Sequence, residues 1–143
     1  MRLEHDAQEA AYERVSEYIG QLYGEEAEAA TDSPSFALRR GSARIDVTVA
    51  AVGDQAVVAV YATVVSGVEP SQELYEYLLR YNAGSMFGAF GIVDGEVVFQ
   101  HAMVGETVDK LELRTAVAAV VDATDEQDEE ITRRFGASGR GTS

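Results

Sequence analysis

The chain has 143 residues, with 25 acidic against 11 basic side chains and a formal charge of −14. This excludes a generic binder of nucleic acid or anionic membranes, because phosphate contacts need Lys and Arg in excess. The absence of cysteine removes disulfides, thiolate nucleophiles and thiolate metal ligands. No run approaches the ~20 apolar residues that span a bilayer, and Met1 to Asp6 does not begin an apolar signal segment. A cytoplasmic protein is expected, with a single domain over residues 1–136 and a small, polar, disordered tail over 137–143.

Leu3, Ala7, Ala11, Val15, Tyr18, Ile19 and Leu22 recur at helical spacing from about Asp6 to Tyr23, with Glu9, Glu13 and Glu17 on the other side. Gly24 ends this helix. Glu25 to Ser33 is an acidic, small-residue linker, and Pro34 bars a helix from continuing through it. The period then changes to two. Phe36 and Leu38 alternate with Ala37 and Arg39, Gly41-Ser42 makes a turn, and Ile45, Val47 and Val49 alternate with Arg44, Asp46 and Thr48. After Gly53-Asp54, the stretch from Ala56 to Val65 has no polar face, so a strand covered on both sides is predicted, either central under a helix or buried against a second subunit.

Pro70 and Ser71 open a short helix on which Leu74, Tyr77, Leu78 and Tyr81 form one apolar stripe, while Tyr75 and Leu79 add a second. One sheet face cannot cover both stripes, so a further packing partner is expected. Asn82-Ala83-Gly84 should stop the helix through a left-handed residue. Asp94-Gly95 then predicts a two-residue hairpin that pairs Ile92 with Val97, Phe90 with Phe99, Gly88 with His101 and Met86 with Met103. On this register Met86, Phe90, Ile92, Val97, Phe99 and Met103 form a core face. The last helix opens on the Asp109/Glu112 capping box with a Val108/Leu113 staple, and runs to Gly136. The expected fold is an α+β sandwich of order α-β-β-β-α-β-β-α, with helices packed on an antiparallel sheet.

Residues that could carry chemistry are few. His101 lies in the last strand, without a second His at ligand spacing, and reads as a histidine at the core edge bonded to backbone. His5 reads as a solvated terminal residue. Asp122, Asp125, Glu126, Asp128, Glu129 and Glu130 lack the ligand alternation of a calcium loop and read as a solvated helix face. Arg39 and Arg40 have the chemistry to clamp a carboxylate, yet stand where charges also guard sheet edges. No metal, cofactor or catalytic residue is assigned.

The element order, the segment Glu73-Leu74-Tyr75-Glu76-Tyr77-Leu78-Leu79-Arg80-Tyr81-Asn82, and the strands Met86 to Gly91 and Glu96 to His101 resemble the YbjN family and the fold it shares with type III secretion chaperones of the CesT class. In such proteins a helix ending in Leu-Leu and then Asn precedes a hairpin strand, and a later helix opens near an acidic residue and leucines. Leu78, Leu79, Asn82, Asp109, Leu111 and Leu113 hold the corresponding positions. The resemblance spans Asp6 to Phe135. It implies a cytoplasmic homodimer that binds extended segments of a client protein and catalyses nothing. The candidate dimer or partner face comprises Tyr75, Leu79, Tyr61, Phe36 and Leu38. The alternatives are a small-ligand-binding or structural regulatory dimer and an enzyme using His101 with a nearby carboxylate.

The acid is spread along the chain and Lys110 is the only lysine, a pattern that fits salt adaptation better than a docking patch. The melting temperature is therefore expected to rise from low to molar salt. An unchanged value would show that self-repulsion does not limit this fold.

Overall fold

The computed structural model describes residues 1–136, so the tail expected at 137–143 lies outside the described residues. Helix α1 (Asp6–Tyr23) leads through one 3-10 turn (Gly24–Glu26) into strands β1 (Ala27–Ala29), β2 (Ser35–Arg40), β3 (Ala43–Val52) and β4 (Gln55–Val65). Helix α2 (Gln72–Gly84), the hairpin β5 (Ala89–Val93) and β6 (Glu96–Val104), and α3 (Lys110–Phe135) complete the chain. The predicted order is observed with one strand added. Ala27-Glu28-Ala29 carries no periodic signal and becomes a strand only because β2 offers it an edge, with Ala27 opposite Leu38 and Ala29 opposite Phe36.

All pairings are antiparallel and the sheet order is β1-β2-β3-β4-β6-β5. The period of two gives each strand two faces, and the registers align them across the sheet. Phe36, Val47, Val60 and His101 share one row, while Ala37, Asp46, Tyr61, Gln100 and Ala89 share the row that points the other way. The first face is the core. It buries Ile45, Val47, Val49, Val58, Val60, Val64 and Phe99 against Val15 and Ile19 of α1, Leu74 and Leu78 of α2, and Leu113, Val120 and Ile131 of α3. Ala116 and Ala123 sit among the buried positions of α3, where small side chains let the helix approach the sheet closely. Its buried Thr124 hydroxyl is satisfied by donating to the Val120 carbonyl at 2.7 Å.

The helix ends follow the residues that begin them. Leu74 N–H donates to Ser71 Oγ at 3.1 Å, and Glu112 N–H to Asp109 Oδ1 at 2.7 Å. His5, expected to be solvated, is the N-cap of α1 instead: its Nδ1 accepts from Gln8 N–H at 3.1 Å. At the end of α3, Gly136 adopts φ 72°.

The end of α2 departs from expectation. No left-handed residue stops it, since the C-cap Ser85 has φ −88°. Asn82 serves the hairpin instead. Its Oδ1 accepts from Phe90 N–H at 2.7 Å and its Nδ2 donates to the Phe90 carbonyl at 3.1 Å. One amide side chain thereby supplies both main-chain partners of an edge-strand residue. Above this staple, Tyr81 packs edge-on against Phe90 (5.0 Å between centroids) and Phe99 (6.2 Å).

The hairpin turn carries φ 51° at Asp94 and φ 79° at Gly95, as a type I′ turn requires. The predicted pairing holds from Val93/Glu96 to Phe90/Phe99 and ends at Ala89/Gln100. Gly88 cannot continue it. At φ 102° its backbone lies so close to β6 that a Cβ would stand 2.5 Å from the Phe99 ring and 2.9 Å from the Gln100 carbonyl. Met86, expected on the core face, is therefore outside the strand and 87% exposed, and Ile92, near the turn of an edge strand, is also exposed.

Asn82→Ala should leave the N–H and carbonyl of Phe90 without their partners and cost about 2 kcal/mol. Urea unfolding with an unchanged m-value would measure it. A loss below ~0.5 kcal/mol would mean that water satisfies Phe90 as well as Asn82 does.

Candidate functional site

All three helices bury their apolar stripes on the core face, so the other face of the six-stranded sheet is covered by nothing among the described residues. Its composition is unusual for a solvated face, which normally alternates to polar. β4 presents Val57, Ala59, Tyr61 and Thr63, β3 presents Thr48 and Ala50, and β6 presents Val98, Gln100, Ala102 and Val104. Of the two arrangements expected for β4, central under a helix or buried against a second subunit, the fold shows the first: β4 is central under the helices, and within this chain its outward residues are only partly buried. Tyr61 stands in the middle of this face and, with Ser35, Arg44 and Asp46, borders a concavity of about 480 Å³ that continues along loop residues 30–33.

The five residues expected to form one partner face are divided by the fold. Tyr75 and Leu79 are exposed, at 43% and 69%, and lie on the side of α2 that carries Glu76 and Arg80. Tyr61 lies on the bare sheet face. Phe36 and Leu38 do not join them. They are 3% and 0% exposed on the core face, where Phe36 stacks on Tyr12 of α1 at 5.4 Å. Their alternation with Ala37 and Arg39 holds, but the apolar half of that alternation is the half that the helices cover. The exposed apolar surface near α2 is extended by Ile92 of β5, expected on the core face, and by two residues not singled out from the sequence, Phe87 in the loop that follows α2 and Val93 on β5.

Half-buried Tyr77 marks where the side chains of α2 and α3 meet. The Tyr77 hydroxyl donates to Gln127 Oε1 of α3, and its ring packs edge-on against Phe135. Burial raises the pKa of Tyr77 above its ordinary 10.0, against the opposing charge of Arg134. These contacts tie α2 to α3 and leave Tyr75 and Leu79 facing outward.

His101 lies on the core face, where β6 has outrun β5. Its ring meets Phe87 edge-on at 6.0 Å, and the imidazole makes no hydrogen bond among the described residues, so the expected bond from the side chain to backbone is replaced by a ring contact. With Met103, Leu111, Thr115 and Ala116 it lines an apolar recess of about 240 Å³ beside the first turn of α3. Glu112 borders the same recess. No group of three or more His, Asp or Glu residues is placed to hold a metal among the described residues. The acidic run on α3 is spent locally in part: Glu130 pairs with Arg133 at 2.7 Å and Arg134 at 2.6 Å.

Residues 9–141 match the family described as TY-Chap1, T3SS (YopN, CesT) and YbjN peptide-binding chaperone 1. A comparison with curated proteins finds no match. Among solved structures, the chain is similar to one chain of the ExsC–ExsE complex, with TM-score 0.64 and 12% identity over 92% of this chain and 97% of that one. It is similar to one chain of the HopA1–SchA chaperone–effector complex, with TM-score 0.66 and 11% identity over 88% and 99%. A third likeness is to a structure of the Yersinia pestis type III secretion chaperone SycH with a stable fragment of YscM2, with TM-score 0.60 and 14% identity over 81% and 98%. At such identities the structural likeness is one of fold.

Proposed function

We propose, from the premise that this chain belongs to the family of T3SS and YbjN peptide-binding chaperones, that it binds an extended segment of a client protein and works as a homodimer. The family match over residues 9–141 carries the reading. Members of this family are chaperones rather than enzymes, and the described residues give His101 an aromatic neighbour in place of a hydrogen-bonded catalytic partner. Two solved proteins of the same fold support a protein client, since one is described as part of a chaperone–effector complex and the other as a chaperone bound to a fragment of another protein. The bare, partly apolar sheet face around Tyr61 supports it physically, because a central strand with Val57 and Ala59 outward gains by being covered. In this reading the site of action is the cytoplasm, and neither nucleic acid nor membrane is a partner.

The second copy is assigned to α2. Tyr75 and Leu79 are large and outward on a helix that packs beside the edge strand exposing Ile92 and Val93, and a symmetric helix contact would bury the stripe that the sheet leaves free. Phe36 and Leu38 take no part.

Affinity capture with the intact chain as bait should retain a client, from which a synthetic peptide of one extended segment binds saturably by itself. A client that is held only as a folded domain, or a small molecule in its place, would overturn the peptide reading. Light scattering should give twice 15.4 kDa, and Tyr75→Glu/Leu79→Glu should halve that mass with the circular dichroism unchanged. A monomeric wild type would end the assignment to α2.

A further inference from the structure

β1 is the least secured element of the sheet. It has three residues where β2 has six, so it pairs with Phe36, Ala37 and Leu38, gains one further main-chain bond from Ala30 N–H to the Ser35 carbonyl, and leaves the rest of that edge to loop and turn. Its Glu28 and Ala29 are exposed. The only ion pair that ties its approach to β2 among the described residues joins Arg40 to Glu26 at 2.9 Å, with side chains 41% and 53% exposed, and such surface pairs contribute little.

The edge beneath β1 is basic. Three of the 11 cationic residues of this chain, Arg39, Arg40 and Arg44, lie on the β2–β3 hairpin. Arg39 and Arg44 stand directly opposite each other, a like-charge pairing that is unfavourable unless an anion lies beside it. Arg44 reaches Asp46 at 3.4 Å, whereas Arg39 has no ion-pair partner among the described residues. The two side chains border a concavity of about 330 Å³ whose other wall is Glu25, Glu26 and Glu28. The larger concavity of about 480 Å³ takes up at Glu28 and follows the chain towards Ser35. Open space thus flanks β1 at both ends, and the chain's own acidic segment supplies the anions.

We infer that β1 is a displaceable strap, an acidic segment of this chain folded onto a basic sheet edge, and that a client strand with a carboxylate between two apolar residues replaces it on β2. The inference rests on the peptide-binding reading and specifies its ligand. The strap shows the pattern required: Ala27 and Ala29 fall opposite Leu38 and Phe36 on the core side, while Glu28 falls opposite Ala37 on the bare side, beside Arg44. A client has two advantages over the strap. It pairs along all six positions of β2, and apolar side chains larger than alanine remove more of their own surface from water on the core side of that edge.

A lock tests this. Ala30 N–H donates to the Ser35 carbonyl at 2.9 Å, so Glu28 and Ala37, two places along the same ladder, form a pair of the hydrogen-bonded kind, with Cα atoms about 5.5 Å apart. The Cβ atoms of such a pair stand too far apart for a direct disulfide, so the lock is a short bis-electrophile that bridges two introduced thiols, with no native cysteine to compete. The probe is a fluorescent peptide copying residues 24–32 with leucine at the positions of Ala27 and Ala29. Unbridged Glu28→Cys/Ala37→Cys should bind it, and the bridged form should bind it ~10-fold or more weakly; Arg39→Glu/Arg44→Glu should also weaken binding. Equal binding by the bridged and unbridged forms would overturn the strap and leave the peptide-binding reading intact. Binding by neither form would overturn the acidic-strand ligand, while the peptide reading itself is decided by client capture. Hydrogen exchange on the unmodified chain is independent of the lock. The amides of β1 should exchange ~100-fold or more faster than those of β3 and β4, through an opening that leaves the core intact. Exchange of β1 only together with β3 would show it to be a fixed part of the sheet.

Discussion

One-sided burial governs this molecule. Three helices lie on a single face of a six-stranded antiparallel sheet, and each strand must divide its residues between a dry side and a bare one. The division is strict where the sheet is widest. Val58, Val60, Ala62 and Val64 of β4 are fully buried, while Val57, Ala59, Tyr61 and Thr63 between them stay partly open. A one-residue slip in any pairing would exchange these two sets. The register therefore protects the core and fixes what the other face displays.

The ends of the sheet are closed by single side chains rather than by further layers. Asn82 holds β5 through both main-chain groups of Phe90. Arg14 of α1 donates to the carbonyls of Gly105 and Glu106, where the chain leaves β6 for α3. Gly105 itself approaches so near that a Cβ would stand 2.7 Å from that of Ala56. Buried Gln8 donates to the Val49 carbonyl at 3.0 Å while accepting from Glu4 N–H, and so ties the start of α1 to β3. β1 has no comparable anchor among the described residues. Its edge is held by three paired positions, the main-chain bond from Ala30 to Ser35 and one exposed ion pair, which makes it the part of the sheet with the smallest cost of release.

How much of this is legible in the sequence follows from what a period can encode. The apolar stripes of α1 and α3, the Asp109 cap and the Asp94-Gly95 turn are local, and local signals place those elements and the hairpin register. The period of two also separates Phe36 and Leu38 from Ala37 and Arg39. Which side the helices choose is a tertiary fact, and Phe36 and Leu38, expected on an outward face, belong inward. The expected pairing carries Met86 too far along the hairpin because the closeness of Gly88 to Phe99 is invisible in sequence. Ala27-Glu28-Ala29 has no strand propensity to detect, and its partner lies across a loop. Asn82 is legible as a helix-end residue, yet its function depends on Phe90, eight residues later.

The net charge of −14 suggests that any client should be basic, and on average the chain would attract cations. Averages lose force at short range. At physiological ionic strength charges are screened beyond about 8 Å, so a segment already lying on the sheet edge senses the arginines next to it far more than carboxylates elsewhere. Arg39 and Arg44 face each other there, and apart from Asp46, which Arg44 reaches at 3.4 Å, the acids beside them, Glu25, Glu26 and Glu28, belong to the segment that occupies the edge. If that segment leaves, its carboxylates leave with it, and the exposed edge becomes locally positive on a globally negative molecule. An arriving acidic strand then restores the same pairing. The global charge slows its approach without weakening the contact it makes, so the acidity that keeps the chain apart from other anions need not exclude an acidic ligand from this edge.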